Sequence, residues 1–193
     1  MGRSVRVLAF SGSLRRQSFN QKLVRIAARG AEQAGAAVRT ISLADYPLPV
    51  LNEDDEQATG LPANARKLKD LFLDADALLI ASPEYNSSLS AALKNLIDWV
   101  SRPVPGEAPL GCFAGKTASL LAASPGALGG LRGLVHIRAI LSSIKVTVLP
   151  DQLAVAKAHE AFDEHSNLRD TTLQQAAMRI GETLARTTAK LNA

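Results

Sequence analysis

Hydroxyl, amide and guanidinium side chains follow the first apolar segment of this 193-residue chain, where residues 11–20 read SGSLRRQSFN. A dianionic phosphate binds where several short donors and a positive charge converge on its oxygens. The segment offers such donors in its backbone N–H groups and in the side chains of Ser11, Ser13, Ser18, Asn20 and one of Arg15 and Arg16. It therefore predicts an anion site at the start of a helix, whose dipole favours the same anion. The alternative is that Ser18 only caps the helix that begins near Phe19.

The segment lacks the two commonest nucleotide-binding fingerprints. It has no GK[ST] ending, which disfavours a Walker-type ATP site, and no GxGxxG pattern, which disfavours a Rossmann-type dinucleotide site. The possibility that remains is a terminal phosphate bound by hydroxyls and one arginine, as in a mononucleotide site.

Two further loops carry residue types that suit a flat ligand. Residues 82–88 read SPEYNSS, and such a turn can lay backbone N–H and C=O groups along the edge of a planar heterocycle. The alternative is a surface turn in which Asn86 bonds locally and Tyr85 covers an apolar patch. Residues 124–130 read SPGALGG, a glycine-rich stretch whose backbone can approach a flat ligand closely or simply form a tight turn.

The elements that would position these loops alternate between short apolar strands and amphipathic helices. Helical spacing covers Phe19 to Gln33 and Asp170 to Asn192, and a further helix contains Leu93 to Trp99. The predicted strands are Val5 to Phe10, Val38 to Ile41, Ala77 to Ala81, Thr117 to Ala123 and Lys145 to Leu149. This alternation predicts an α/β three-layer sandwich with a five-stranded parallel sheet in the flavodoxin-like order 2-1-3-4-5. In such a sheet ligands bind at the carboxyl ends of the strands, where all three loops lie.

Composition limits the class of protein. We expect residues 1–193 to form a single domain without a membrane span or a signal peptide, and to be cytoplasmic. The lone Cys112 gives no disulfide framework and no zinc spacing, and the consecutive carboxylates at 53–56 are typical of a solvated loop rather than a metal site. The net charge of +4 comes from scattered basic residues, so we expect no nucleic-acid binding and favour anionic small molecules.

Taken together, the segments at 12–20, 82–99 and 124–133 resemble the NADPH-dependent FMN reductase family, a flavodoxin-like group with bacterial quinone, chromate and azo-dye reductases. The resemblance covers most of the chain. One departure is the Ser-Ser-Leu-Ser-Ala-Ala run after Asn86, where many relatives have a proline or glycine before the helix.

The resemblance implies which residues bind FMN. The first loop would hold the phosphate and the other two would border the isoalloxazine ring. The residues so implied are Ser13, Arg15, Ser18 and Asn20 with the backbone near Phe19, then Pro83, Glu84, Tyr85 and Asn86, and finally Ser124 with glycines such as Gly126; Ser11 joins them from the composition of the first loop.

The resemblance also implies the reaction. Hydride would pass from NADPH or NADH to FMN and then to a quinone, chromate, azo dye or similar small acceptor in a ping-pong cycle, with no catalytic side chain and no metal. His136, His159 and His165 lie outside the three loops, and Arg16 and Arg102 are candidates for the 2′-phosphate of NADPH. Relatives form homodimers or homotetramers. The alternatives are an FMN-binding electron carrier, which is typically acidic, and a redox-sensing protein.

Overall fold

A five-stranded parallel sheet organises the computed structural model, which describes residues 3–193. Its order is β2-β1-β3-β6-β7, with two very short strands, β4 and β5, forming a separate hairpin. The bounds are β1 (Arg6–Ser11), β2 (Ala37–Ser42), β3 (Ala77–Ala81), β4 (Glu84–Tyr85), β5 (Ser88–Leu89), β6 (Thr117–Ala123) and β7 (Thr147–Val155). Because the hairpin lies outside the main sheet, this is the 2-1-3-4-5 order, and the predicted flavodoxin-like fold is confirmed.

Helices cover both faces of the sheet, as a parallel sheet requires. Their bounds are α1 (Phe19–Gln33), α2 (Glu53–Thr59), α3 (Ala63–Asp74), α4 (Ala91–Ser101), α5 (Leu131–Ser143), α6 (Ala158–Ala161) and α7 (Thr171–Leu191). The buried side chains of α1 and α7 form one apolar cluster, and those of α3, α4 and α5 form the other. The two clusters are the two sides of a three-layer sandwich.

The alternation of side chains along β1 and β3 divides the core. Leu8 and Phe10 lie in the cluster with α3, α4 and α5, whereas Val7 and Ala9 lie in the cluster with α1 and α7. Successive strand residues point to opposite faces, so an unbroken apolar run is what two covered faces need.

The α1–α7 layer is so tightly packed that two glycines are required by space alone. A Cβ atom added to Gly30 would lie 1.9 Å from the carbonyl oxygen of Met178, and one added to Gly181 would lie 1.8 Å from that of Ala27. The two helices therefore cross at backbone contact, which fixes the position of α1 against the sheet.

The structure differs in detail from three of the sequence-based expectations. The last strand runs over Thr147–Val155 instead of Lys145 to Leu149, because Lys145 has a positive φ of 68° and the strand passes a register irregularity opposite Ala118 and Leu120 before pairing again. The acidic residues at 53–56 begin a short helix, α2, where carboxylates in the first turn favour the helix dipole. Arg102, a candidate for a nucleotide phosphate, instead pairs with Glu53 and Glu56 of that helix.

Candidate functional site

Three loops converge on one cavity at the carboxyl ends of β1, β3 and β6. The cavity has a volume of about 180 Å³. Its walls are formed by Ser13, Arg15, Ser18, Phe19, Asn20, Pro83, Glu84, Tyr85, Ala123, Ser124 and Pro125. The polypeptide leaves β1 for β2 on one side and returns to β3 on the other, so the cavity lies where ligands bind in doubly wound sheets. A larger depression of about 250 Å³, between Arg6 and Asp74, lies at the opposite edge of the sheet.

Hydrogen bonds to the end of β3 and to the N-cap residue of α4 fix the first loop, residues 12–18. The Gly12 N–H donates to the Ala81 carbonyl at 2.9 Å, and the Ser90 hydroxyl donates to the Gly12 carbonyl at 2.5 Å. Ser11 is fully buried, and its Oγ accepts from the Ser13 N–H at 3.2 Å. The buried serines thus shape the loop, and Ser11 supports it without lining the cavity.

The first turn of α1 supplies free backbone donors at the cavity wall. Ser18 is the N-cap, and its Oγ accepts from the Gln21 N–H at 3.2 Å. The N–H groups of Phe19 and Asn20 lie in this first turn, where no preceding helical carbonyl can accept them. The predicted cap and the predicted anion site therefore occur together, since the capping bond leaves these two donors for a ligand.

The charge at this end of α1 is positive. Arg15 is exposed, lines the cavity, and has its Cζ 5.8 Å from the centroid of the Phe19 ring. The first acidic residue along the chain is Glu32, at the far end of α1, and the first turn of the helix has no carboxylate. A guanidinium, several hydroxyls and a helix N-terminus are the donor set that a phosphate monoester needs.

Asn20 connects the first loop to the third. Its side-chain amide donates to the Ala123 carbonyl and accepts from the Ala123 N–H, both at 2.8 Å. Both polar atoms of the buried amide therefore have partners, and the side chain holds α1 against the end of β6. A ligand in the cavity would find the backbone N–H of Asn20 as its donor, not the side chain.

The second loop forms the β4–β5 hairpin. Asn86 and Ser87 are its two turn residues, and they have φ values of 50° and 67°. Two-residue hairpin turns with positive φ at both positions favour Asn and Gly, which explains Asn86 and leaves Ser87 strained. Asn86 lies at the tip, outside the cavity wall, and Tyr85 is 54% exposed beside it.

Glu84 anchors this hairpin to α5. Its Oε1 accepts from Arg132 Nε at 2.9 Å and Nη2 at 2.6 Å, and its Oε2 accepts from the Gly133 N–H at 3.2 Å. Burial raises the pKa of Glu84, but these donors outweigh burial, so the pKa of the carboxyl lies below its usual value. The side chain is ionised at neutral pH and positions the backbone of the second loop.

The third loop is closed by its glycines. A Cβ atom on Gly129 would lie 2.7 Å from the Val155 carbonyl carbon, and one on Gly130 would lie 2.8 Å from Ala122 Cβ. Gly126 differs, since an added Cβ would meet only Ser124 Oγ at 3.7 Å. Ser124 Oγ also accepts from the Gly126 N–H at 3.3 Å. Gly126 is therefore an open part of the loop beside the cavity wall.

Nine of the twelve residues expected at the site line the cavity, and Ser11, Asn86 and Gly126 lie next to it. Sequence reasoning missed Arg132 and the contact of His136 Nδ1 with Ser88 Oγ at 2.9 Å, which joins α5 to the hairpin. Arg132 could have been found, because a cation in the first turn of a helix opposes the dipole unless a carboxylate pairs with it. Within residues 3–193 no cluster of His, Cys, Asp or Glu could hold a metal, and no helix could span a membrane.

Comparison with known proteins agrees with this geometry. A family model described as NADPH-dependent FMN reductase matches residues 5–160. An NAD(P)H-dependent FMN reductase of Pseudomonas aeruginosa is 36% identical over 171 residues, which cover 88% of both chains. A quinone reductase of Escherichia coli is 36% identical over 149 residues, which cover 77% of this chain and 76% of that protein.

A solved structure extends the similarity to the whole fold. The flavoenzyme NAD(P)H:(acceptor) oxidoreductase FerB of Paracoccus denitrificans superposes with a TM-score of 0.80 at 27% identity, over 96% of this chain and 98% of that one. The described cavity has the donor set for a flavin mononucleotide phosphate, and the chain carries no dinucleotide fingerprint. The chain belongs to the NADPH-dependent FMN reductase family.

Proposed function

We propose that this protein is an FMN-dependent oxidoreductase that takes hydride from NADPH or NADH and reduces quinones and similar small acceptors. One observation carries the proposal: donor residues of the first loop and residues of the other two loops line a single cavity. The family shares this cofactor and co-substrate, and the names of the two relatives include an FMN reductase and a quinone reductase.

The first loop would bind the FMN phosphate. Ser13 and Ser18 lie at the wall, Arg15 supplies the charge, and the first-turn N–H groups of Phe19 and Asn20 complete the donor set. A charge-assisted contact from an arginine is stronger than a neutral one, so Arg15 would contribute most per contact.

The second and third loops would border the isoalloxazine ring. The residues that would do so are Pro83, Glu84, Tyr85 and Asn86 in the hairpin and Ser124 and Gly126 in the third loop. Ser11 would support the first loop through its hydrogen bond with the Ser13 N–H. Because the carboxylate of Glu84 is committed to Arg132 and Gly133, this residue would meet the ring through its backbone.

Bound FMN supplies the redox chemistry, since its ring accepts a hydride from a nicotinamide and returns two electrons to an acceptor. The chain contributes position and electrostatics. Within residues 3–193 the cavity wall carries no histidine, lysine or cysteine, and its one carboxylate is ionised and paired. The proton that completes a hydroquinone would therefore come from solvent or from the exposed phenol of Tyr85, which also lines the wall.

The finer features of the proposal are a ping-pong cycle, a broad acceptor range that includes chromate and azo dyes, a homodimeric or homotetrameric assembly, and a cytoplasmic location. The 54% exposure of Tyr85 at the cavity wall favours a broad range, because an acceptor can reach this side of the site from solvent. The net charge of +4 favours this reading over an acidic electron carrier.

Anaerobic mixing of the FMN-loaded protein with NADPH, and separately with NADH, tests the proposal. We expect the oxidised flavin absorption to bleach within seconds with at least one of them, and a benzoquinone added afterwards to restore it. This second step also tests the ping-pong order. An oxidised spectrum that persists with both nucleotides would contradict the enzymatic function and leave an electron carrier or redox sensor as the better description.

A further inference from the structure

An aromatic residue outside the three loops contacts the predicted phosphate site. Phe162 follows α6, beyond the stretch matched by the family model. The residue is only 8% exposed, and its ring stacks on that of Phe19, with centroids 6.0 Å apart and planes inclined by 7°. Phe19 in turn has the Arg15 guanidinium over its ring. Phe162 therefore contacts Phe19, and Phe19 contacts Arg15, so the three residues form one chain of contacts with Phe19 in the middle.

Several hydrogen bonds hold Phe162 in place. Residues 162 and 168 form an antiparallel bridge around a tight turn, in which the Asn167 N–H donates to Asp163 Oδ1 at 2.8 Å. Arg29 on α1 donates to Asn167 Oδ1 at 2.8 Å, and the Leu168 N–H donates to Gln174 Oε1 on α7 at 2.9 Å. The turn is tied to both helices of this layer, so it offers the Phe19 ring a fixed surface.

A fixed Phe19 ring matters because Arg15 is exposed. A free arginine side chain loses considerable rotamer entropy when it is ordered by a ligand. A guanidinium that already lies over an aromatic face has lost part of this freedom before the ligand binds. Phe19 is the first residue of α1 and only half-buried, so its own orientation depends on the ring of Phe162. Lys22 Nζ also lies 5.8 Å from the centroid of the Phe162 ring.

We propose that Phe162 is a positioning residue for the phosphate-binding arginine: it holds the Phe19 ring, which orients Arg15 toward the phosphate of FMN. The inference rests on the proposed function, because it needs FMN in the described cavity. It predicts that Phe162 contributes to the affinity for a flavin only when that flavin has a phosphate group.

Comparing FMN with riboflavin tests this inference, because riboflavin has the same ring and lacks the phosphate. Both ligands are titrated into flavin-free protein and followed by flavin fluorescence. We expect Phe162→Leu to weaken FMN binding about threefold to tenfold, the size of an aromatic pair contribution. Riboflavin binding should stay unchanged, and Phe162→Tyr, which keeps the ring, should retain the preference for FMN.

A buried aromatic residue on the opposite face of the sheet provides the matched control. Phe72 is 1% exposed and pairs with Phe10, so Phe72→Leu should lower stability while leaving the ratio of FMN to riboflavin affinity unchanged. In the Arg15→Ala background, Phe162→Leu should have little additional effect on FMN binding, because the two residues act through one contact.

The outcomes separate this inference from the proposed function. If Arg15→Ala weakens FMN binding and Phe162→Leu leaves it unchanged, the positioning role is wrong and the cavity stands. If Phe162→Leu weakens FMN and riboflavin binding equally, Phe162 has only a structural role, and the inference is again overturned. If the unaltered protein binds neither flavin, the proposed function fails and this inference fails with it.

Discussion

The Asn20 side chain and the Ala123 backbone exchange two hydrogen bonds of 2.8 Å, one in each direction. Asn20 is the second residue of α1, and Ala123 is the last residue of β6. The side-chain amide therefore pairs with the end of β6 as the backbone of a neighbouring strand would, and it holds the first loop at a fixed distance from the third. The cavity between them depends on this link.

Replacing Asn20 with alanine should destabilise the protein strongly even without a ligand. The change leaves the buried N–H and C=O of Ala123 without their partner, which costs about 2–4 kcal/mol. Urea unfolding of the flavin-free protein measures this loss. Gln21→Ala is the neighbouring control, because the Gln21 side chain makes only a long 3.4 Å bond to the Ile41 carbonyl and its backbone N–H keeps its bond to Ser18 Oγ. Equal stabilities for the two variants would contradict the structural role of Asn20.

Arg15 and Arg16 provide a matched pair at the phosphate site, since both are exposed and only Arg15 lines the cavity. We expect Arg15→Ala to weaken FMN binding by about 1.5–3 kcal/mol, the cost of one charge-assisted hydrogen bond, or roughly tenfold to 150-fold. Arg16→Ala should change it little. Fluorescence titration measures both, and a larger loss from Arg16→Ala would show that the other arginine binds the phosphate.

The ion pair of Glu84 should make stability depend on pH in the acidic range. Burial raises the pKa of Glu84, but the donors on Arg132 and Gly133 lower it by more than burial raises it. The pKa in the folded protein therefore lies below the ordinary 4.5. A carboxyl with a depressed folded pKa stabilises the protein above its unfolded pKa and loses that contribution as the pH falls through the folded value.

Glu84→Gln should therefore reduce the free energy of unfolding at pH 7. The difference in this free energy between the variant and the unaltered protein should become smaller as the pH drops below about 4.5. Denaturant unfolding between pH 7 and pH 3 gives the difference curve, which cancels the contributions of other carboxyls. A gap that stays constant over this range would show that the ionised carboxylate contributes nothing.

Glycine substitutions test how tightly α1 is held. In Gly181→Ala the new Cβ would lie 1.8 Å from the Ala27 carbonyl oxygen, so the α1–α7 contact must open at a cost of about 1–3 kcal/mol or more. In Gly126→Ala the new Cβ meets only Ser124 Oγ at 3.7 Å, and we expect no measurable loss of stability. Thermal unfolding compares the two variants. Similar melting temperatures would contradict the close crossing of the helices.

The sheet order and the site loops were predictable because the pattern of apolar residues within each strand and helix agrees with the burial that the folded sheet requires. Strand β3 and helix α1 occur at the predicted bounds, since Ala77 to Ala81 is an uninterrupted apolar run and Ser18 caps a helix with a continuous apolar stripe. Once the order is known, the rule that ligands bind at the carboxyl ends brings all three loops together.

What the sequence did not reveal depends on tertiary partners. The use of the Asn20 amide by Ala123 and of the Glu84 carboxylate by Arg132 depends on contacts between residues 103 and 48 positions apart. The continuation of β7 past Pro150 requires the register irregularity opposite Ala118, which no periodicity indicates. The stacking of Phe162 on Phe19 likewise joins distant segments.

The identity of the flavin released from the purified protein tests the central claim most directly. Denaturing the protein and separating the released cofactor by chromatography distinguishes FMN, FAD and riboflavin. The structure predicts FMN in stoichiometric amount, because the first loop has the donors for one terminal phosphate and no dinucleotide fingerprint. FAD as the released cofactor, or a colourless protein that fails to take up added FMN, would contradict the account.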